Sequence, residues 1–143
     1  MPPGSSVERR LEWVAFTHEA ARAGLGASLV ITEYDVLAGA IDMRLIDRED
    51  PRIGELGYLL APGFRGRGIL ARALRLLVSW SFGEPLRLER VQALVHPSND
   101  RSAAVLTRAG FVREGVLRAY RAEPGGREDR EIWSLLPIDW RPS

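Results

Sequence analysis

The segment Arg65-Gly66-Arg67-Gly68-Ile69-Leu70 concentrates more chemically useful groups than any other stretch of the chain. A glycine-rich loop that follows a strand and opens a helix gathers unpaired backbone N–H groups and the positive helix end around one point. That is an anion site, most naturally for a phosphate. Arg65 and Arg67 reinforce it. The spacing of Gly63, Gly66 and Gly68 is not G-x-G-x-x-G and no lysine follows, so the dinucleotide and P-loop signatures both fail. Taken alone, the same residues also describe an ordinary glycine-rich turn from strand to helix.

Composition narrows the remaining chemistry. There is no cysteine, which excludes thiolate nucleophiles, disulfides, Cys-containing zinc sites and iron–sulfur clusters. All 20 basic residues are arginine, which excludes Schiff-base catalysis, lysine-bound pyridoxal phosphate and a P-loop lysine. His18 and His96 are distant in sequence and predict no metal site; His96 reads as the end of a strand before Pro97. The net charge of +1 lacks the strongly basic balance of a protein living on nucleic acid, so an RNA-associated role for Arg65, Arg67, Arg72 and Arg75 is disfavoured.

The elements that must position these groups follow from periodicity and punctuation. A chain of 143 residues predicts one domain, 1–143, with 45% hydrophobic content to fill its core. No run approaches the roughly 18 apolar residues of a membrane helix, and the start lacks a basic region followed by an apolar one; a cytoplasmic protein is expected. Ser5 or Ser6 caps a helix carrying Val7, Leu11, Val14 and Ala21 on one side. Strands are predicted over 27–33 and 36–46, joined at Tyr34-Asp35, and over 54–60, ending at Ala61-Pro62-Gly63. Leu70, Ala73, Leu74, Leu77 and Val78 then follow helical spacing across 69–82. A strand over 90–95 precedes a helix opened by Pro97-Ser98-Asn99-Asp100 and closed by Gly110. Strands over 111–122 and 128–136 flank the turn Pro124-Gly125-Gly126. Strands three and four, joined through a helix, should pair in parallel by a right-handed crossover, with hairpin connections elsewhere. The four tryptophans, Trp13, Trp80, Trp133 and Trp140, read as core or edge packing.

Four stretches together carry a resemblance. Gly54-Glu55-Leu56-Gly57-Tyr58-Leu59-Leu60-Ala61-Pro62, then Arg65-Gly66-Arg67-Gly68, then His96-Pro97-Ser98-Asn99-Asp100-Arg101-Ser102, then Ala109-Gly110-Phe111-Val112-Arg113-Glu114-Gly115 resemble the GNAT N-acetyltransferase superfamily. Within it, the chain is most similar to the ribosomal-protein N-terminal (RimJ/RimL-type) enzymes. The resemblance implies an α+β fold: a mixed, mostly antiparallel sheet with a central, splayed parallel strand pair, flanked by helices. It also implies acetyl-CoA as co-substrate, no metal, and transfer of the acetyl group to a primary amine by direct attack in a ternary complex.

Carried over residue by residue, the loop Arg65, Gly66, Arg67, Gly68, Ile69 and Leu70 would take the pyrophosphate of acetyl-CoA, the anion site already deduced. Backbone groups of Tyr58, Leu59 and Leu60 would bind the pantetheine arm as an added strand does, and an amide there would stabilise the tetrahedral intermediate. Asn99 either bonds the pantetheine arm or simply caps its helix. Ser102 either protonates the departing thiolate or packs helix against sheet. Glu55 is the first candidate for the base that deprotonates the amine; alternation sets it on the face opposite Leu56, Tyr58 and Leu60, and the plain reading is a solvent-facing carboxylate. Tyr120 is a further candidate for lining the acceptor site or donating a proton.

The chain departs from the family pattern in two places. Leu70 stands where the loop motif has Gly or Ala, so its side chain must point away from the phosphates or tighten the pocket. The chain also begins near the family's second helix, lacking the usual first strand and helix, which would leave a sheet edge unpaired and fits a homodimer. The leading expectation is an active N-acetyltransferase. The alternative is a non-catalytic CoA-binding or protein-interaction module with a degenerate acceptor site.

Overall fold

The structure, a computed structural model, describes residues 26–142; the helix expected from Ser5 or Ser6 onward, with Trp13 and His18, lies outside the described residues. Strand β1 (Gly26–Glu33) turns through Tyr34 and Asp35, at φ 50° and 64°, into β2 (Val36–Leu45). Two successive positive φ values give a two-residue turn the twist that suits a right-handed strand pair. Strand β3 (Ile53–Leu60) returns antiparallel to β2, with Met43 opposite Leu56 and Arg44 opposite Glu55. A 3-10 turn, Pro62–Phe64, then leads to helix α1 (Ile69–Phe82). Beyond it lie β4 (Arg90–Val95), helix α2 (Asp100–Arg108), β5 (Val112–Glu123) and β6 (Gly126–Leu135).

The six strands form one sheet in the order β1-β2-β3-β4-β6-β5, with β3 and β4 as the parallel pair and every other pair antiparallel. The expectation of hairpin neighbours elsewhere needs one correction: β6 inserts between β4 and β5. The physical reason is where apolar surface lies. Trp133 and Leu135 of β6 are buried, opposite Ala93 and Val91 of β4, whereas β5 is exposed along most of its length. A strand with a core face takes an interior position and a polar strand takes the edge.

The stripe expected on α1 is the one buried. Leu74, Leu77 and Val78 are at most 3% exposed, each contributing roughly 1.5–3 kcal/mol by burial, while Leu70 and Ala73 pack at the margin of the same core. Trp133 lies in the core and Trp140 meets Phe82 edge-on at 6.5 Å, but Trp80 is 43% exposed on the outer side of α1, against the packing expected of it. Strand alternation gives the sheet two unlike faces. Ile41, Met43, Leu56, Tyr58 and Leu60 join Val91, Ala93 and Val95 in the core cluster with the helices. The other face carries Asp42, Arg44, Glu55 and Gln92.

Candidate active site

The loop before α1 is held open by two glycines. Gly66 and Gly68 have φ of 80° and 72°, and Gly68 caps α1 without a side-chain bond. A Cβ at Gly66 would meet nothing within 4 Å, and one at Gly68 only the Arg72 guanidinium at 3.7 Å. Glycine is therefore required there for its conformation, and the space beyond the loop is clear. The first turn of α1 holds no acidic residue of its own to offset its positive end. The two flanking arginines are not equivalent. Arg65 is exposed, whereas Arg67 is ion-paired to Glu33 at 2.6 Å, donates to the Gly63 carbonyl at 3.2 Å and lies over the Phe64 ring. Arg67 thus braces the loop, while Arg65 stands exposed beside it. Ile69 is buried, and Leu70 turns its side chain onto the core, away from the loop opening.

Beside the loop, the sheet parts. β3 and β4 pair only from Ile53–Arg90 to Leu56–Ala93. Beyond that point residues of β3 stay with β2, and Leu94 and Val95 of β4 stay with β6. Backbone groups of successive strand residues point alternately to either side, so part of Tyr58, Leu59 and Leu60 faces the gap. Next to the fork, a side-chain bond ties β3 to the first turn of α2: the hydroxyls of Tyr58 and Ser102 lie 2.8 Å apart. Asn99 Oδ1 accepts from the Ser102 N–H at 3.2 Å, so the capping use of Asn99 is filled, while among the described residues its amide nitrogen has no partner. Burial pushes the Tyr58 phenol up to about 12, against the opposing pull of its bond with Ser102.

On the opposite face, Glu55 is 8% exposed and is not the solvent-facing carboxylate of the plain reading. Oε2 accepts from Arg44 at 2.7 Å and Oε1 from Gln92 at 3.0 Å. Gln92 in turn accepts from Arg90, which pairs with Glu114. Glu55, Arg44, Gln92, Ile46, Tyr120 and Arg121 line an open polar cleft of about 530 Å³. Tyr120 reaches it because β5 shifts register between Leu117 and Arg121, with Ala119 at φ 50°. Such an irregularity re-aims the side chains that follow it. The three candidate catalytic residues are therefore divided: Glu55 and Tyr120 share the cleft, and Ser102 stands on the helix side of the sheet.

Reading the sequence alone missed Arg44, Gln92 and Asp42. Arg44 and Gln92 lie directly opposite Glu55 in the two neighbouring strands, a pairing that follows only from register. Asp42 is 2% exposed, neither of its oxygens has a hydrogen-bond partner, and its sole ion-pair contact is Arg44 Nε at 3.6 Å among the described residues. Burial pushes its carboxyl up to about 6. Aspartate and arginine alternating inside an otherwise apolar strand was the signal. His96 is held on both ring nitrogens: its Nδ1 accepts from the Ser98 N–H, which leaves Nε2 to donate to Glu128 at 2.7 Å.

A mixed sheet that opens between its two parallel strands, next to a glycine loop at a helix start, is the frame of an acyl-CoA N-acyltransferase. The chain belongs to the acetyltransferase (GNAT) domain family, whose model matches residues 1–112. It is 34% identical over 113 residues to the uncharacterized N-acetyltransferase p20 of Bacillus licheniformis, covering 79% of this chain and 62% of that protein. Among solved structures it is similar to the ribosomal-protein-S5-alanine acetyltransferase of Vibrio fischeri, with TM-score 0.78 and 28% identity over 99% of this chain and 80% of that one. It is also similar to RimJ of Mycobacterium smegmatis in complex with CoA-disulfide, with TM-score 0.81 and 26% identity over 96% of this chain and 68% of that one. The chain spans less than two thirds of the length of the curated relatives it matches. Among the described residues no helix is long and apolar enough to cross a membrane, and no three His, Cys, Asp or Glu side chains cluster as metal ligands.

Proposed function

We propose that this chain is an acetyl-CoA-dependent N-acetyltransferase that acylates a primary amine, either a protein N-terminus or a small-molecule amine, by direct attack in a ternary complex. The observation that carries the reading is the fork beyond Leu56 and Ala93, with an open anion loop beside it and a buried carboxylate on the far face. The residues fit acetyl-CoA. Backbone amides at Gly66, Gly68, Ile69 and Leu70, with Arg65, would hold the pyrophosphate. The outward groups of Tyr58, Leu59 and Leu60, and the free amide of Asn99, would take the pantetheine arm. When bound, acetyl-CoA supplies an activated acyl thioester.

The chain's own groups then divide the work. The amine enters from the polar cleft, past Tyr120, and gives its proton to Glu55 directly or through water as the C–N bond forms. A strand amide at the fork stabilises the negative charge developing on the thioester oxygen. As the C–S bond breaks, the electron pair leaves on sulfur, and the Ser102 hydroxyl donates to it. Ribosomal-protein acceptors are one candidate class, because the similar Vibrio fischeri protein is named for that activity.

Calorimetric titration with acetyl-CoA, paired with a thermal-shift scan, tests the reading, since a ligand that binds only the native state raises its melting temperature. Saturable binding is expected, followed by amine-dependent release of free thiol in a screen of peptide N-termini and polyamines. A folded protein that neither binds acetyl-CoA nor releases thiol overturns it.

A further inference from the structure

Placing Ser102 beside the departing sulfur leaves open what aims its hydroxyl. We propose that Tyr58 is a positioning residue: its phenol donates to Ser102 Oγ and so turns the serine O–H into the gap, where a sulfur anion accepts a hydrogen bond from it. The inference rests on the N-acetyltransferase reading and concerns side chains of this chain only. Tyr58 lies two residues beyond the last β3–β4 pair, and Ser102 stands in the first turn of α2, so their 2.8 Å bond ties the parted strand to the helix that follows β4. The Ser102 backbone N–H is held by Asn99 Oδ1 at 3.2 Å, which fixes the residue's backbone, and among the described residues Tyr58 is the sole partner of its Oγ.

Two hydroxyls in contact carry two protons and use one between them. Either oxygen can donate across the 2.8 Å contact; the shared proton is assigned to the phenol, the more acidic of the two, which leaves the Ser102 proton spare. Ser102 is only 9% exposed, and among the described residues its Oγ has no second partner, so its spare proton is available to an incoming anion. Burial holds the phenol protonated up to about 12, so the arrangement persists across the working range of pH. For the same reason Tyr58 is not a source of protons. No bond forms or breaks at either residue.

The test follows the thiol of bound CoA, without turnover. CoA is titrated in complex with wild type, Tyr58→Phe, Ser102→Ala and the double variant, and thiol ionisation is read from the ultraviolet absorbance of the thiolate. A donor aimed at the sulfur favours the charged form, so the wild-type complex should lower the thiol pKa by about one unit relative to free CoA. Ser102→Ala should abolish that shift, Tyr58→Phe should halve it, and the double variant should match Ser102→Ala. By linkage, affinity for thiolate CoA should fall by the factor the shift loses, about tenfold for Ser102→Ala and less for Tyr58→Phe. The proposal is overturned if Tyr58→Phe titrates as wild type, if it costs more than Ser102→Ala, or if the two losses add. A wild-type protein that does not bind CoA at all overturns the N-acetyltransferase reading instead.

Discussion

The two sides of the fork are built from different materials. On the helix side, the proposed cofactor site is backbone: amides after Gly66 and Gly68 and the outward groups of β3, with Arg67 spent on bracing. On the far side, the proposed acceptor site is side chain: Glu55 held by Arg44 and Gln92, with Tyr120 at the rim. A backbone site tolerates most side-chain changes and fails when φ and ψ are disturbed. A side-chain site keeps its fold under substitution and loses its chemistry.

The largest effect should come from Gly68→Val, because a β-branched residue is strained at φ 72°. Acetyl-CoA affinity measured by calorimetry should fall at least about 30-fold, equivalent to ~2 kcal/mol. Unchanged affinity would remove the loop from the cofactor site and erase the contrast. Next, Glu55→Gln should lower turnover about 100-fold while leaving acetyl-CoA binding intact. The loss should be greatest at low pH, where less of the amine is already deprotonated; a fully active variant would show that Glu55 is not the base.

Asp42 sharpens the comparison through stability. Its carboxyl is raised from 3.8 to about 6 in the folded chain, chiefly by burial, so the folded state binds the proton more tightly than the unfolded state. Its contribution is intact below about pH 4 and is lost as pH rises to about 6, leaving a buried, poorly partnered charge above that. Asp42→Asn should therefore stabilise the protein by about 2 kcal/mol at pH 8 and by little at pH 4. Denaturant unfolding of both proteins at the two pH values checks this, and an equal difference at both would dismiss Asp42 as the cause. The smallest effect is expected of Tyr120→Phe, since Tyr120 is 46% exposed. It should raise the acceptor KM no more than about fivefold, with acetyl-CoA binding unaltered in a two-substrate kinetic analysis.

Much of the frame was legible in the sequence. The 3.6-residue stripe of α1, the glycine punctuation of the loop and the parallel crossover from β3 to β4 are local or chirality-governed features, and each stands where its residues implied. The candidate site was legible only in part. Glu55 was placed on the correct face by alternation alone, but its partners Arg44 and Gln92 lie 11 and 37 residues away in sequence. The insertion of β6 beside β4, the isolation of Asp42 and the meeting of Tyr58 with Ser102 share that origin. What the sequence by itself determined is the set of conformations each short segment prefers, because sterics and periodicity act over a few residues. What only the tertiary structure decided is which polar groups meet once the strands are in register, because the spacing of side chains across a sheet depends on pairings no short segment encodes.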